Sequence, residues 1–168
     1  NRNVIVSYVR QLLRLDSRHT PFTILGLELK VFDTVTFTAG SAERTLQIGG
    51  SIDRLDAVAS ELGGERIRVI DYKTGNKAQA KIKTIEEIFS GEDISRKHTD
   101  YYLQTMLYSL IVDRSSSHNP EGEPVSPALL FIQHTTGDEY DPTLTLGDEK
   151  ITSAGRYRDE FTDRLKGV

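Results

Sequence analysis

Leu129-Leu130-Phe131-Ile132 is an unbroken apolar run inside 128–135, the mark of a strand covered on both faces. A chain holding such a strand needs a layer on each side of it. Val4, Ile5, Tyr8, Val9, Leu12 and Leu13 recur at three- and four-residue intervals and predict a first helix over 3–15, followed by a polar turn over 16–21. Phe22 to Phe37 is rich in β-branched, leucine and phenylalanine residues and predicts a strand, or two. Leu46 to Ala59 continues as a second extended segment, where Gly49-Gly50 allows a bulge or a close backbone approach. Gly63-Gly64 then turns the chain into a short strand over 66–73, so these two segments are expected to pair as a hairpin. Ile82, Ile85, Ile88 and Phe89 predict a short helix, and 101–113 a longer one with Leu103, Leu107, Leu110 and Ile111 facing the core. The serine- and proline-rich stretch 114–127 reads as a loop, and Tyr157, Phe161 and Leu165 line a terminal helix. The order helix, three strands, helix, strand, helix gives an α/β sandwich with a mixed sheet.

With 168 residues, 37% hydrophobic and 27% charged, one compact domain over 1–168 is expected. The start at Asn1, without an initiator methionine, suggests a piece of a longer protein. The absence of cysteine removes disulfides, thiolate zinc sites, cysteine nucleophiles and iron–sulfur clusters, and points to an intracellular, cytoplasmic home. No apolar run reaches membrane-span length, so no membrane partner is expected. A net charge of −4 offers no overall attraction to nucleic acid, and any DNA contact must come from a locally basic groove.

The chemistry is concentrated in Val69-Ile70-Asp71-Tyr72-Lys73. Strand periodicity sends Asp71 and Lys73 to one face and Tyr72 to the other. Gly50-Ser51-Ile52-Asp53 on the preceding strand supplies a second carboxylate that hairpin pairing would set beside Asp71. Oxygen ligands of this kind suit Mg2+ or Mn2+, with substrate phosphate and water completing the shell; the Tyr72 carbonyl is a candidate third ligand. Lys73 would hold the attacking water or a phosphate oxygen. A chain of this length carries roughly half an Asp-X-Lys triplet by chance. Asp71 and Lys73 alone are therefore equally well read as an ion pair. Asp148-Glu149-Lys150 reads as a solvated turn, and Glu28-Leu29-Lys30 has no carboxylate strand before it to complete a metal pair.

Gly50-Ser51-Ile52-Asp53-Arg54-Leu55-Asp56, Asp71-Tyr72-Lys73-Thr74-Gly75 and Gln104-Thr105-Met106-Leu107-Tyr108 together resemble the GxxDRxD, DYKTG and QxxxY motifs of RecB-like (AddB-like) PD-(D/E)XK nucleases, in the same order. The resemblance covers about 22–135. It implies a restriction-endonuclease-like core: helix, three-stranded antiparallel meander, helix, strand, with helices flanking the sheet. It also implies a metal-dependent deoxyribonuclease, an exonuclease of repair or recombination partnered by a helicase domain or subunit. In that family setting Asp53 and Asp71 would bind metal, Lys73 would be catalytic, and Gln104 and Tyr108 would join the site. Glu28 sits where relatives often carry a glutamate, and is a candidate further ligand or equally a surface carboxylate. The alternative to catalysis is a silent nuclease-like module that binds DNA or scaffolds a complex. A small-molecule hydrolase using the same metal pair is a third reading, without a phosphate-cradling glycine loop to support it.

Gln104, Tyr108 and Tyr101 share one helix face, where they would meet a DNA strand or simply rim the core. Arg54 and Asp56 are expected to pair structurally. Lys77, Lys81 and Lys83 read as a solvated face before a phosphate contact. His19, His98, His118 and His134 lack metal-ligand spacing and receive no role, and the family's upstream histidine motif has no counterpart here.

Overall fold

The computed structural model describes residues 2–75, 81–91, 94–135 and 140–167. Helix α1 (Arg2–His19) leads into strands β1 (Phe22–Ala39), β2 (Ala42–Ala59) and β3 (Glu65–Lys73). Short helices α2 (Ile85–Ile88) and α3 (Ile94–Lys97) precede α4 (Thr99–Asp113). Strand β4 (Val125–Phe131), a small β5 (Thr145–Leu146) and β6 (Glu149–Lys150) pair, and α5 (Arg158–Lys166) complete the chain. The main sheet has the order β1-β2-β3-β4, antiparallel except for the parallel β3/β4 pair. This four-stranded mixed sheet flanked by helices is the restriction-endonuclease-like architecture.

One face of the sheet packs on α4 through Val31, Ile52, Leu55, Ile67, Val69, Tyr108, Ile111 and Val125. The other packs on α1, where Leu15, Ile70, Ala128, Leu130 and Ile132 are joined by Tyr8 and Leu12. A third cluster seats α4 against α2, β4 and α5 through Met106, Leu129, Phe131 and Phe161. The central apolar run is thus covered on both sides, as its sequence demands.

Three boundaries differ from the sequence expectation, each for a reason. Helix α1 runs on through the expected turn to His19, because Leu15 is buried and Asp16 receives a counterion from Arg54, 38 residues away. Strands β1 and β2 are each continuous over 18 residues, joined at the Gly40 turn, with a bulge between Ile24 and Gly26. Strand β4 begins at Val125, inside the expected loop, and 132–134 is a 3-10 turn rather than strand. Pro127 is accommodated because Val125 to Phe131 pair with β3 on one side only, and its carbonyl accepts the Leu144 N–H on the other.

After the 3-10 turn, Gln133 donates to both the Tyr8 hydroxyl and the Thr74 carbonyl, each at 2.8 Å. It ties the middle of α1 to the end of β3.

Candidate active site

The β2/β3 ladder stops where the site begins. Paired residues run from Ala59↔Glu65 to Arg54↔Ile70. The next ladder position is filled by a side chain: Tyr72 N–H donates to Asp53 Oδ2 at 2.7 Å. Asp53 therefore spends one oxygen holding the strands together and lies beside Asp71 through its own bond to β3. The sequence pairing expected for Asp53 and Asp71 is achieved by a carboxylate bridge instead of backbone bonds.

Asp71 and Lys73 share the α4 face, with Lys73 Nζ 2.6 Å from Asp71 Oδ2. The Lys73 ammonium is thus the partner of the buried Oδ2, in an ion pair whose angles depart from those of a well-aligned hydrogen bond. Burial pushes the Asp71 carboxyl above the usual carboxylate range, with the Asp53 charge acting in the same direction and the Lys73 ammonium opposing both. A buried, proton-seeking oxygen beside a second carboxylate is a fitting donor pair for a hard divalent cation.

One face of α4 lies across this end of the sheet. Tyr101 covers Lys73, whose Nζ is 4.1 Å from the ring centroid. Gln104 Nε2 donates to the Tyr108 hydroxyl at 3.2 Å. That hydroxyl occupies the space a side chain at position 50 would need, which explains the glycine there: an added Cβ would overlap the Tyr108 ring and oxygen. Gly50 and Tyr108, from two separate motifs, thus form one steric fit. Gly50→Ala is expected to destabilise the protein by about 1–3 kcal/mol. In a Tyr108→Ala background the same change should cost little, so thermal unfolding of the four proteins should show strong coupling; additive effects would refute the fit.

Beneath the site, on the α1 face, lies a charged cluster. Asp56 is fully buried, accepting from Arg54 Nε at 2.8 Å and from Arg68 Nε and Nη2 at 2.8 and 2.9 Å. Arg54 Nη1 also reaches both Asp16 oxygens at 2.9 Å and the Tyr72 hydroxyl at 3.3 Å. Burial disfavours the Arg54 charge, yet Tyr72, Asp56 and Asp16 together hold its pKa above the ordinary arginine value. Burial also raises the Tyr72 phenol. Because Arg54 follows Asp53 and Tyr72 follows Asp71, the cluster fixes the backbone from which both carboxylates project. The structural role expected of Arg54 and Asp56 is observed, and Arg68 and Asp16 are added to it.

Other sequence candidates stand apart. Glu28 is exposed on β1 at φ 49°, between the residues paired with Ile52 and Arg54. Among the described residues no three His, Asp or Glu side chains gather to hold a metal, so Glu28 does not complete a cluster with the two aspartates. Asp148 is exposed at the β5/β6 turn and pairs with Lys81 at 2.7 Å. Lys83 is exposed, and Lys77 falls outside the described residues. Of the histidines, His98 is near the site, stacked on Tyr101 with ring centroids 4.9 Å apart and planes 8° from parallel. Sequence spacing gave it no role, since nothing local links it to Lys73. Among the described residues no helix is long and apolar enough to cross a membrane.

Comparison with curated proteins finds no match. A family model does match, that of the PD-(D/E)XK nuclease superfamily, over residues 1–168. Nucleases of this superfamily use divalent metal ions, in keeping with the Asp53–Asp71 donor pair. A family match over the full length, a mixed sheet of the required topology and a carboxylate–carboxylate–lysine grouping at the parted β2/β3 edge lead to one assignment: the chain belongs to the PD-(D/E)XK nuclease superfamily.

Proposed function

We propose that this chain is a Mg2+- or Mn2+-dependent deoxyribonuclease of the RecB-like type, an exonuclease of DNA repair or recombination acting with a helicase domain or subunit. The observation that carries the catalytic reading is the grouping of Asp53, Asp71 and Lys73 at the parted strand edge, with Asp71 Oδ2 buried against the Lys73 ammonium. The finer assignment rests on the three motifs at 50–56, 71–75 and 104–108.

Asp53, through the oxygen not bonded to Tyr72, and Asp71 would hold the metal, with the Tyr72 carbonyl as third protein ligand and Glu28 shaping the β1 side. A divalent ion held there supplies positive charge to the scissile phosphate and acidifies water for attack. Lys73 contributes a second positive charge, orienting the nucleophile or a non-bridging phosphate oxygen. Gln104, held by its hydrogen bond to the buried Tyr108 hydroxyl, would be the polar group that α4 offers to the strand.

The test is cleavage of end-labelled single- and double-stranded DNA with Mg2+, with Mn2+ and with a chelator. Metal-dependent shortening supports the proposal, and product lengths separate exonuclease from endonuclease action. Intact DNA under every condition sinks it. Calorimetric titration with Mn2+ then identifies a silent module, which has no need to bind the ion at these carboxylates.

A further inference from the structure

The Lys73 ammonium has two neighbours of different kinds. Asp71 offers charge at 2.6 Å, at angles that depart from those of a well-aligned hydrogen bond, and the Tyr101 ring offers its face at 4.1 Å. Lysine is a poor choice for a fixed charge unless something restrains its four-carbon stem. Asp71 is an insecure restraint, because a cation bound there competes with Lys73 for the same oxygen. The ring face attracts the ammonium through its quadrupole, and a metal on Asp71 leaves that attraction in place.

The ring is itself held. Tyr101 lies in the first turn of α4, packs against the core around that helix and carries the stacked His98 imidazole. His98 precedes the helix with left-handed backbone angles, φ 52° and ψ 47°, and its ring makes no capping bond to the helix start but lies with Nδ1 4.0 Å from Asp100 Oδ1. Lys73, Tyr101 and His98 thus form a series reaching from the reacting centre to the helix start.

We propose that Tyr101 is a positioning residue, whose ring, supported by His98, holds the Lys73 ammonium in place when a divalent cation engages Asp71. The inference rests on the reading of Lys73 as the reacting lysine, and adds a requirement for an aromatic face at 101 rather than for its hydroxyl.

The test compares Tyr101→Phe, Tyr101→Leu and His98→Ala in the full chain. With Mn2+ and DNA, Tyr101→Phe should retain kcat within about twofold, while Tyr101→Leu should lose about tenfold in kcat with KM little changed. In metal-free protein carrying labelled lysine, the Lys73 ε-methylene resonance should be shifted upfield by the ring in the parent and in Tyr101→Phe. It should return towards the ordinary lysine position in Tyr101→Leu, and part of the way in His98→Ala. A parent-like kcat in Tyr101→Leu, or a loss confined to KM, would overturn the inference, the latter by making Tyr101 a strand contact. An unshifted Lys73 resonance in the parent overturns it independently. A parent protein that cuts no DNA sinks the nuclease reading instead, and the resonance still decides whether Tyr101 holds Lys73.

Discussion

Asp71→Ala is expected to reduce metal-supported DNA cleavage by about three orders of magnitude or more, and to abolish Mn2+ binding by calorimetry while leaving the fold intact. The variant removes the carboxylate that Lys73 now neutralises and that the proposed metal would share with Asp53, so both readouts should fall together. Lys73→Ala should lose about 100- to 1000-fold in kcat yet still bind Mn2+, since it deletes the charge proposed to act on the substrate and sets free the carboxylate beside it. Parent-like cleavage by either variant would remove the residue from the mechanism. The raised pKa of Asp71 adds a pH signature. In the window between an ordinary carboxylate pKa and the elevated one, the folded chain binds more protons than the unfolded chain, so this group's contribution to metal-free stability falls as pH rises. Protons compete with the metal in the same window. Mn2+ affinity should therefore decline on acidification sooner than for an ordinary aspartate, and a flat affinity across that window would contradict the buried setting of Asp71.

Asp56→Asn should destabilise the protein by about 3–5 kcal/mol in urea unfolding. It leaves Arg68 with no carboxylate and Arg54 with Asp16 alone, both guanidiniums being buried. Replacing Asp56 and Arg68 together, Asp56→Leu with Arg68→Leu, should cost less than Asp56→Asn, because no Arg68 charge is then stranded and Arg54 keeps Asp16 in both. A loss below about 1 kcal/mol for Asp56→Asn would mean that water or neighbouring groups already satisfy the arginines.

Residues whose roles follow from local periodicity were legible in the sequence. The two-residue repeat puts Asp71 and Lys73 on one face, and the four-residue spacing puts Gln104 beside Tyr108; both relations hold in the structure. The order of the main elements was legible for the same reason, whereas α3 and the β5/β6 pair, whose second strand falls on residues 149–150 read as a solvated turn, were not. What local rules cannot see is contact between elements distant along the chain. Gly50 is explained by Tyr108, the last turn of α1 by Arg54, and His98 through Tyr101 by Lys73. Pro127 shows the opposite failure: a residue that breaks most strands marks none here, since β4 lacks a full partner on that side.

Asp53 links the sheet through Oδ2 and, in the proposed function, would also lend its charge to the metal. These two roles can be inherited separately. Asparagine keeps an oxygen to accept the Tyr72 N–H and gives up the negative charge, whereas alanine gives up both. A descendant of this chain that abandoned hydrolysis for binding alone would therefore have a smooth route through a single amide at position 53, with its sheet unaltered. Asp53→Asn should therefore keep the fold of the parent while losing Mn2+ affinity, whereas Asp53→Ala should lose stability as well.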